Sequence, residues 1–206
     1  MLSAAEALRW LREGNQRFVA NQAAGRVLSI PTRSDLVEGQ EPFAIILGCS
    51  DSRVPAELIF DQGFGDLFVI RVAGNIVAPS QVGSVEFAAA RFGTRLVVVL
   101  GHSHCGAIGA TLDELEGRAT TESKNLRSIV DRMRPAVERV LGSERTKDGP
   151  ALFREAVRAN VRASADHLRH GSELLERLIR KDGLLVVGAE YSIETGAVDF
   201  FDGLPA

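Results

Sequence analysis

Two short segments hold the residues whose types and spacing could do chemistry: Cys49-Ser50-Asp51-Ser52-Arg53 and His102-Ser103-His104-Cys105. Each follows an apolar run closed by a glycine, Phe43-Ala44-Ile45-Ile46-Leu47-Gly48 in the first case and Leu96-Val97-Val98-Val99-Leu100-Gly101 in the second. The chain has two cysteines, and both stand where a buried strand should end. Two thiolates and an imidazole brought together make a three-ligand zinc site, with the fourth position open to water or to a nearby carboxylate. His102 and Cys105 form a short His-x-x-Cys clip. Cys105 also precedes a predicted helix, whose N-terminal dipole and amides favour a thiolate.

His104 competes with His102 for the metal. Spacing favours His102, because adjacent His104 and Cys105 would strain one tetrahedral site. His104 then reads as a half-exposed polar residue near the mouth, with a proton relay as its functional alternative. Asp51 and Arg53 also have two readings. In the first, Asp51 is a turn residue capping a helix that begins near Pro55, and Arg53 is its ion-pair partner. In the second, Asp51 fills the fourth metal position or accepts a hydrogen bond there, and a bidentate pair with Arg53 decides between the two by holding the carboxylate away.

The elements that must position these residues are legible in the hydrophobic pattern. Phe43–Leu47, Leu67–Arg71, Leu96–Leu100 and Leu184–Val187 are apolar runs without alternation, the signature of parallel strands covered on both faces. Helical periodicity marks Ser3–Asn21, a stretch from Ser80 to Phe92, Ala107–Leu115, Asn125–Leu141 and Ala151–Arg180, with Gly171 a point of interruption. Ser3 followed by Glu6 resembles a capping box, and Ser80 is placed to cap the second helix. The first helix is expected to pack outside the core or on a partner, and Gly25 to Pro42 to be loop. Glu194-Thr195-Gly196 signals a hairpin leading into a last antiparallel strand, Ala197–Phe201. Strand–helix alternation implies an α/β fold with a mostly parallel central sheet flanked by helices. In such sheets sites form beyond the carboxyl ends of the strands, where strand order switches. Cys49 and His102 meet there if the first and third strands are neighbours.

Composition narrows the function classes. A formal net charge of −3, from 24 basic and 27 acidic side chains, gives no electrostatic case for nucleic acid or an anionic membrane. No apolar run approaches the about 20 residues of a membrane span. No secretory signal is read at the start, which with two cysteines points to a reducing, cytoplasmic setting. A structural zinc site would use four closed ligands, redox chemistry would need Cys-x-x-Cys, and a P-loop would need its Lys-Ser/Thr. The chain offers none of these.

The two segments, with Arg71-Val72-Ala73-Gly74-Asn75 between them, resemble the signatures of the β-class carbonic anhydrases, from about Gln40 to Leu115. The resemblance implies a single domain over 1–206, with a helical arm over 1–24 and an α/β core over 40–206. It implies a zinc lyase, one Zn2+ per chain on Cys49, His102 and Cys105, that hydrates carbon dioxide reversibly to bicarbonate and a proton by attack of zinc-bound hydroxide. Asp51 and Arg53 become the catalytic gating pair, with Asp51 a fourth ligand in a closed state. Gln40, Phe68 and Ala73 become substrate-binding residues, Gln40 acting across a homodimer interface; tetramers also occur in the family. Carbonyl sulfide or carbon disulfide hydrolysis on the same scaffold is the alternative. Some members regulate closure through a bicarbonate pocket with a tryptophan three residues before the first cysteine. Ile46 stands there, and the one tryptophan is Trp10. Arg71 and Tyr191 match the other members of that pocket. Without the tryptophan, an open site with Asp51 paired to Arg53 is expected near neutral pH.

Overall fold

A computed structural model describes residues 2–23, 36–143 and 149–205. The expected loop over 25–42 lies outside these residues as far as 35. From 36 to 42 the chain is turn and irregular segment.

Helix α1 (Ala4–Val19) starts at a capping box: the Glu6 amide donates to the Ser3 hydroxyl, and the Ser3 amide to the Glu6 carboxylate. It does not stay outside the core. Ala7, Leu8 and Leu11 recur at helical spacing and are buried against the sheet of their own chain, while Trp10 and Val19 face outward.

Five strands follow: β1 (Ala44–Gly48), β2 (Leu67–Arg71), β3 (Leu96–His102), β4 (Leu185–Tyr191) and β5 (Val198–Asp202). They form one sheet in the order β2-β1-β3-β4-β5, parallel except for the last pair. Both faces are covered, which is why β1 and β3 are apolar throughout rather than alternating. Ala44, Ile46, Val98 and Leu100 pack toward α1 and the short helix α2 (Ala56–Ile59). Ile45, Leu47, Val97 and Val99 pack toward α3 (Pro79–Arg91), α6 (Gly149–His170) and α7 (Glu173–Lys181). Helices α4 (Gly106–Leu115) and α5 (Lys124–Ser143) close a third apolar cluster around both cysteines.

Two helix boundaries differ from the sequence reading. Ala78, not Ser80, is the N-cap of α3; Pro79 starts the helix because its missing N–H is not needed there, and the Ser80 hydroxyl bonds Gln81. The long helix expected over 151–180 is two helices. Gly171 packs so tightly that an added Cβ would lie 2.6 Å from the His167 carbonyl oxygen, and the Ser172 hydroxyl then caps α7 by accepting from Leu175. Strand β4 runs four residues past its expected end because Gly188 to Tyr191 pair in register with Val99 to His102. Among the described residues, no helix is long and apolar enough to cross a membrane.

Candidate metal centre

The topology brings the two segments together. Strands β1 and β3 are neighbours, with Gly48 opposite Leu100, so Cys49 leaves the sheet beside the end of β3. The chain passes from β1 to β2 on one side and returns to β3 on the other. The ends of β1 and β3 are therefore the switch point where α/β sheets build sites. His102 is the last residue of β3, and Cys105 caps α4 three residues on. Gly101 makes this close approach of α6 feasible: a Cβ there would lie 2.6 Å from Val161 Cγ2 and 3.1 Å from Val157 Cγ1.

The ligand atoms of Cys49, His102 and Cys105 lie within 4.8 Å of one another, and all three residues are buried. His102 Nδ1 bonds the Ser103 carbonyl at 2.9 Å, which places the ring proton on that side. Its Nε2 is buried without a hydrogen-bond partner, a costly state unless the lone pair has a cation to bind. The two thiols lie close enough to shift one another in opposite directions. Cys105 first, then the nearby His102 ring and the backbone amides of Asp51 and Gly74, pull the Cys49 thiol well down against its burial. The Cys49 thiolate and burial push Cys105 well up. For His102, burial opposes the imidazolium and the Cys49 thiolate favours it, and the balance lies above the ordinary value. Two soft thiolates and an orphaned imidazole nitrogen in a dry pocket suit a zinc-like cation.

Supports surround these ligands. The Gly74 amide points at Cys49 Sγ at 3.4 Å from a turn whose φ of 70° favours glycine. Asn160 Nδ2 donates to the Gly74 carbonyl at 2.8 Å and Ser164 to that of Asn75 at 3.1 Å, pinning the turn to α6. Arg71 donates to the carbonyls of Cys49 and Asp51 at 3.0 and 2.6 Å. Asp51 accepts Arg53 Nε on one oxygen and Nη2 on the other. The Arg53 side chain holds the Asp51 carboxyl far below the usual carboxylate range. Arg53 also reaches the His104 carbonyl at 3.2 Å.

The remaining predicted residues divide. Ala73 lies half-buried in the turn next to Gly74, whose amide meets Cys49 Sγ. Phe68 is not brought to the metal ligands of its own chain. It pairs in register with Ile45, four residues before Cys49, and its ring packs among Phe87 and Phe92. Gln40 is exposed ahead of β1. His104 points away from the ligands and bonds Glu194 at 2.5 Å, with its backbone in the left-handed region at φ 54°. Glu194 also accepts from the Ser103 and Ser192 hydroxyls at 2.7 and 3.0 Å, and these partners, Ser103 first, lower its carboxyl to about 2. In the sequence Glu194 reads only as a turn residue; the partners on the metal-ligand span lie some 90 residues away, and no local pattern encodes them.

A family model described as carbonic anhydrase matches residues 44–198. The chain is 38% identical to carbonic anhydrase 2 of Mycobacterium tuberculosis over 90% of this chain and 87% of that protein. It resembles the solved β-carbonic anhydrase CcaA at 28% identity and a TM-score of 0.73, over 97% of this chain and 93% of that one. One of two tetrameric β-carbonic anhydrases of Sordaria macrospora shares its fold at a TM-score of 0.75 and 24% identity, over 95% of this chain and 97% of that one.

Proposed function

The chain belongs to the β class of the carbonic anhydrase family, which are carbonate dehydratases, and from that premise we propose that Cys49, His102 and Cys105 hold one catalytic zinc ion. The observation that carries this reading is the three-residue donor cluster at the switch point of the sheet, with the Asp51–Arg53 pair beside it. When bound, zinc supplies a Lewis acid that makes water nucleophilic near neutral pH, an effect of which carbonic anhydrase is itself the type example.

The chain's own residues supply the rest. Asp51 is an ionised acceptor, because Arg53 pairs with it. A carboxylate so strongly ionised does not keep a proton at neutral pH, so its part is to orient the attacking O–H rather than to store its proton. Arg53 keeps it off the metal. Arg71 fixes the two backbone carbonyls from which Cys49 and Asp51 project. Ala73 supplies an apolar wall suited to carbon dioxide. Gln40 is exposed and Phe68 lies among exposed aromatic surface with Phe87, so both serve a site only across an interface with a second copy. We therefore read the enzyme as a homodimer, in a family fold that also builds tetramers. Two buried, unpaired cysteines fit a reducing cytoplasm.

Stopped-flow hydration of carbon dioxide between pH 6.5 and 9, on protein with its zinc content measured, tests the reading. Turnover with one zinc per chain supports it. Full zinc occupancy without hydration sinks it and turns attention to carbonyl sulfide and carbon disulfide.

A further inference from the structure

The span between the second and third ligands is only Ser103 and His104, and neither is held by regular structure. His104 sits in the left-handed region, a conformation unfavourable for a non-glycine residue that needs outside support. That support converges on one carboxylate in the turn after β4. Glu194 Oε2 accepts the Ser103 and Ser192 hydroxyls, and Oε1 meets His104 Nε2. The Ser103 hydroxyl in turn accepts the Ile193 amide at 3.0 Å, and the Ser103 amide donates to the Tyr191 carbonyl at 2.9 Å. The Glu194 turn is itself anchored. Buried Asn15 of α1 donates to the Gly196 carbonyl at 2.8 Å and accepts the Val198 amide at 2.9 Å. From the other side of the span, the His104 carbonyl accepts Arg53 Nη2, the nitrogen that also holds Asp51.

We propose that Glu194 is a positioning residue for the metal centre, fixing the Ser103–His104 span between two ligands and, through the His104 carbonyl, the guanidinium that restrains Asp51. The inference rests on the zinc reading above. Glu194 touches none of the three ligand side chains; it acts through Ser103 and His104. Residues that hold metal ligands from behind change metal affinity by about 10–100-fold when removed.

Three variants test this: Glu194→Ala, Glu194→Gln and Ser103→Ala. The readouts are the rate of zinc loss to a chromogenic chelator, the visible band of the cobalt(II)-loaded protein, and the unfolding midpoint of the metal-free protein. Glu194→Ala is expected to lose zinc about 10–100-fold faster with a displaced cobalt band. Glu194→Gln keeps one acceptor oxygen and should recover most of the difference. Wild-type zinc release and cobalt band in Glu194→Ala would overturn the proposal. So would a lowered midpoint in the metal-free protein with the cobalt band unmoved, because that is general destabilisation. If Glu194→Ala does not fold, Ser103→Ala removes one donor from the carboxylate and should move both metal readouts the same way; unchanged readouts there overturn the proposal equally. A wild-type chain that takes up no zinc overturns the zinc reading itself, and this proposal with it.

Discussion

Arg53 grips Asp51 through two parallel bonds, Nε to Oδ1 at 2.9 Å and Nη2 to Oδ2 at 2.8 Å, two residues beyond Cys49. A carboxylate free beside a divalent cation becomes a ligand, whereas one already paired with a guanidinium fork does not. Arg53→Ala should therefore release Asp51 to the fourth position and lower kcat/KM by about 10–100-fold, while zinc content stays full. Asp51→Ala should keep zinc and lose most turnover. The double variant should resemble Asp51→Ala alone, since without Asp51 there is nothing for Arg53 to restrain. Stopped-flow rates on all three decide it. Arg53→Ala at wild-type activity would remove the gating role.

Acid should weaken the fold through Glu194 in a defined window. Its partners, led by the Ser103 hydroxyl, lower its carboxyl from the ordinary 4.5 to about 2, so the folded state binds that proton less readily than the unfolded chain. The stabilisation is complete above the unfolded value and is lost as pH falls through the folded one. The gap in urea midpoint between wild type and Glu194→Gln should be fully present at pH 5. It should then close as the pH falls from 4.5 toward 2. A gap that persists unchanged at pH 2 would show that the charge is not what the turn uses.

Much of this site is legible in the sequence because the chemistry is carried by residue types at strand ends. Continuous apolar runs in β1 and β3 follow from a sheet covered on both faces, and the ligands simply terminate them. The pattern does not carry whatever depends on tertiary partners. Arg71 acts through the carbonyls of Cys49 and Asp51, and backbone acceptors leave no trace in residue identity. Phe68 reads as a pocket wall by resemblance, but register with Ile45 sets it well short of the strand's carboxyl end. The Gly171–Ser172 break shows in the sequence only as an interruption. Its cause is tertiary as well as local: Gly171 touches His167, and Ser172 also bonds Glu86 of α3.

Zinc loading should release protons in a number set by the ionisation of the ligands and of the bound water. The Cys49 thiol is lowered and enters as thiolate; Cys105 is raised and enters protonated. Binding converts Cys105 to thiolate, which frees about one proton per zinc, and the water acidified by the metal adds up to about one more at pH 8. His102 lies above its ordinary 6.5, and its imidazolium must also deprotonate, so its share should grow as pH falls toward 6 while that of the water shrinks. Calorimetric titration in buffers of differing ionisation enthalpy measures this. Release of about three protons at pH 8 would mean that Cys49 is not pre-ionised.

Gly74→Ala joins backbone strain, packing and the metal centre in one substitution. The residue has φ 70°, and its added Cβ would lie 2.6 Å from Met133 Sδ and 3.1 Å from Ala107 Cβ. The left-handed backbone and the overpacked contact together should cost about 2–4 kcal/mol in urea unfolding. Met133 is flexible and fully buried, so part of the overlap can be relieved, and Met133→Ala in the same chain should relieve more of it while leaving the φ penalty. The turn cannot shift without moving the Gly74 amide away from Cys49 Sγ, which it meets at 3.4 Å. Zinc release should therefore quicken in Gly74→Ala, and the Met133 change should restore zinc retention more completely than stability. A Gly74→Ala protein with wild-type stability and wild-type zinc release would mean that the turn yields freely and that the amide does not hold the thiolate.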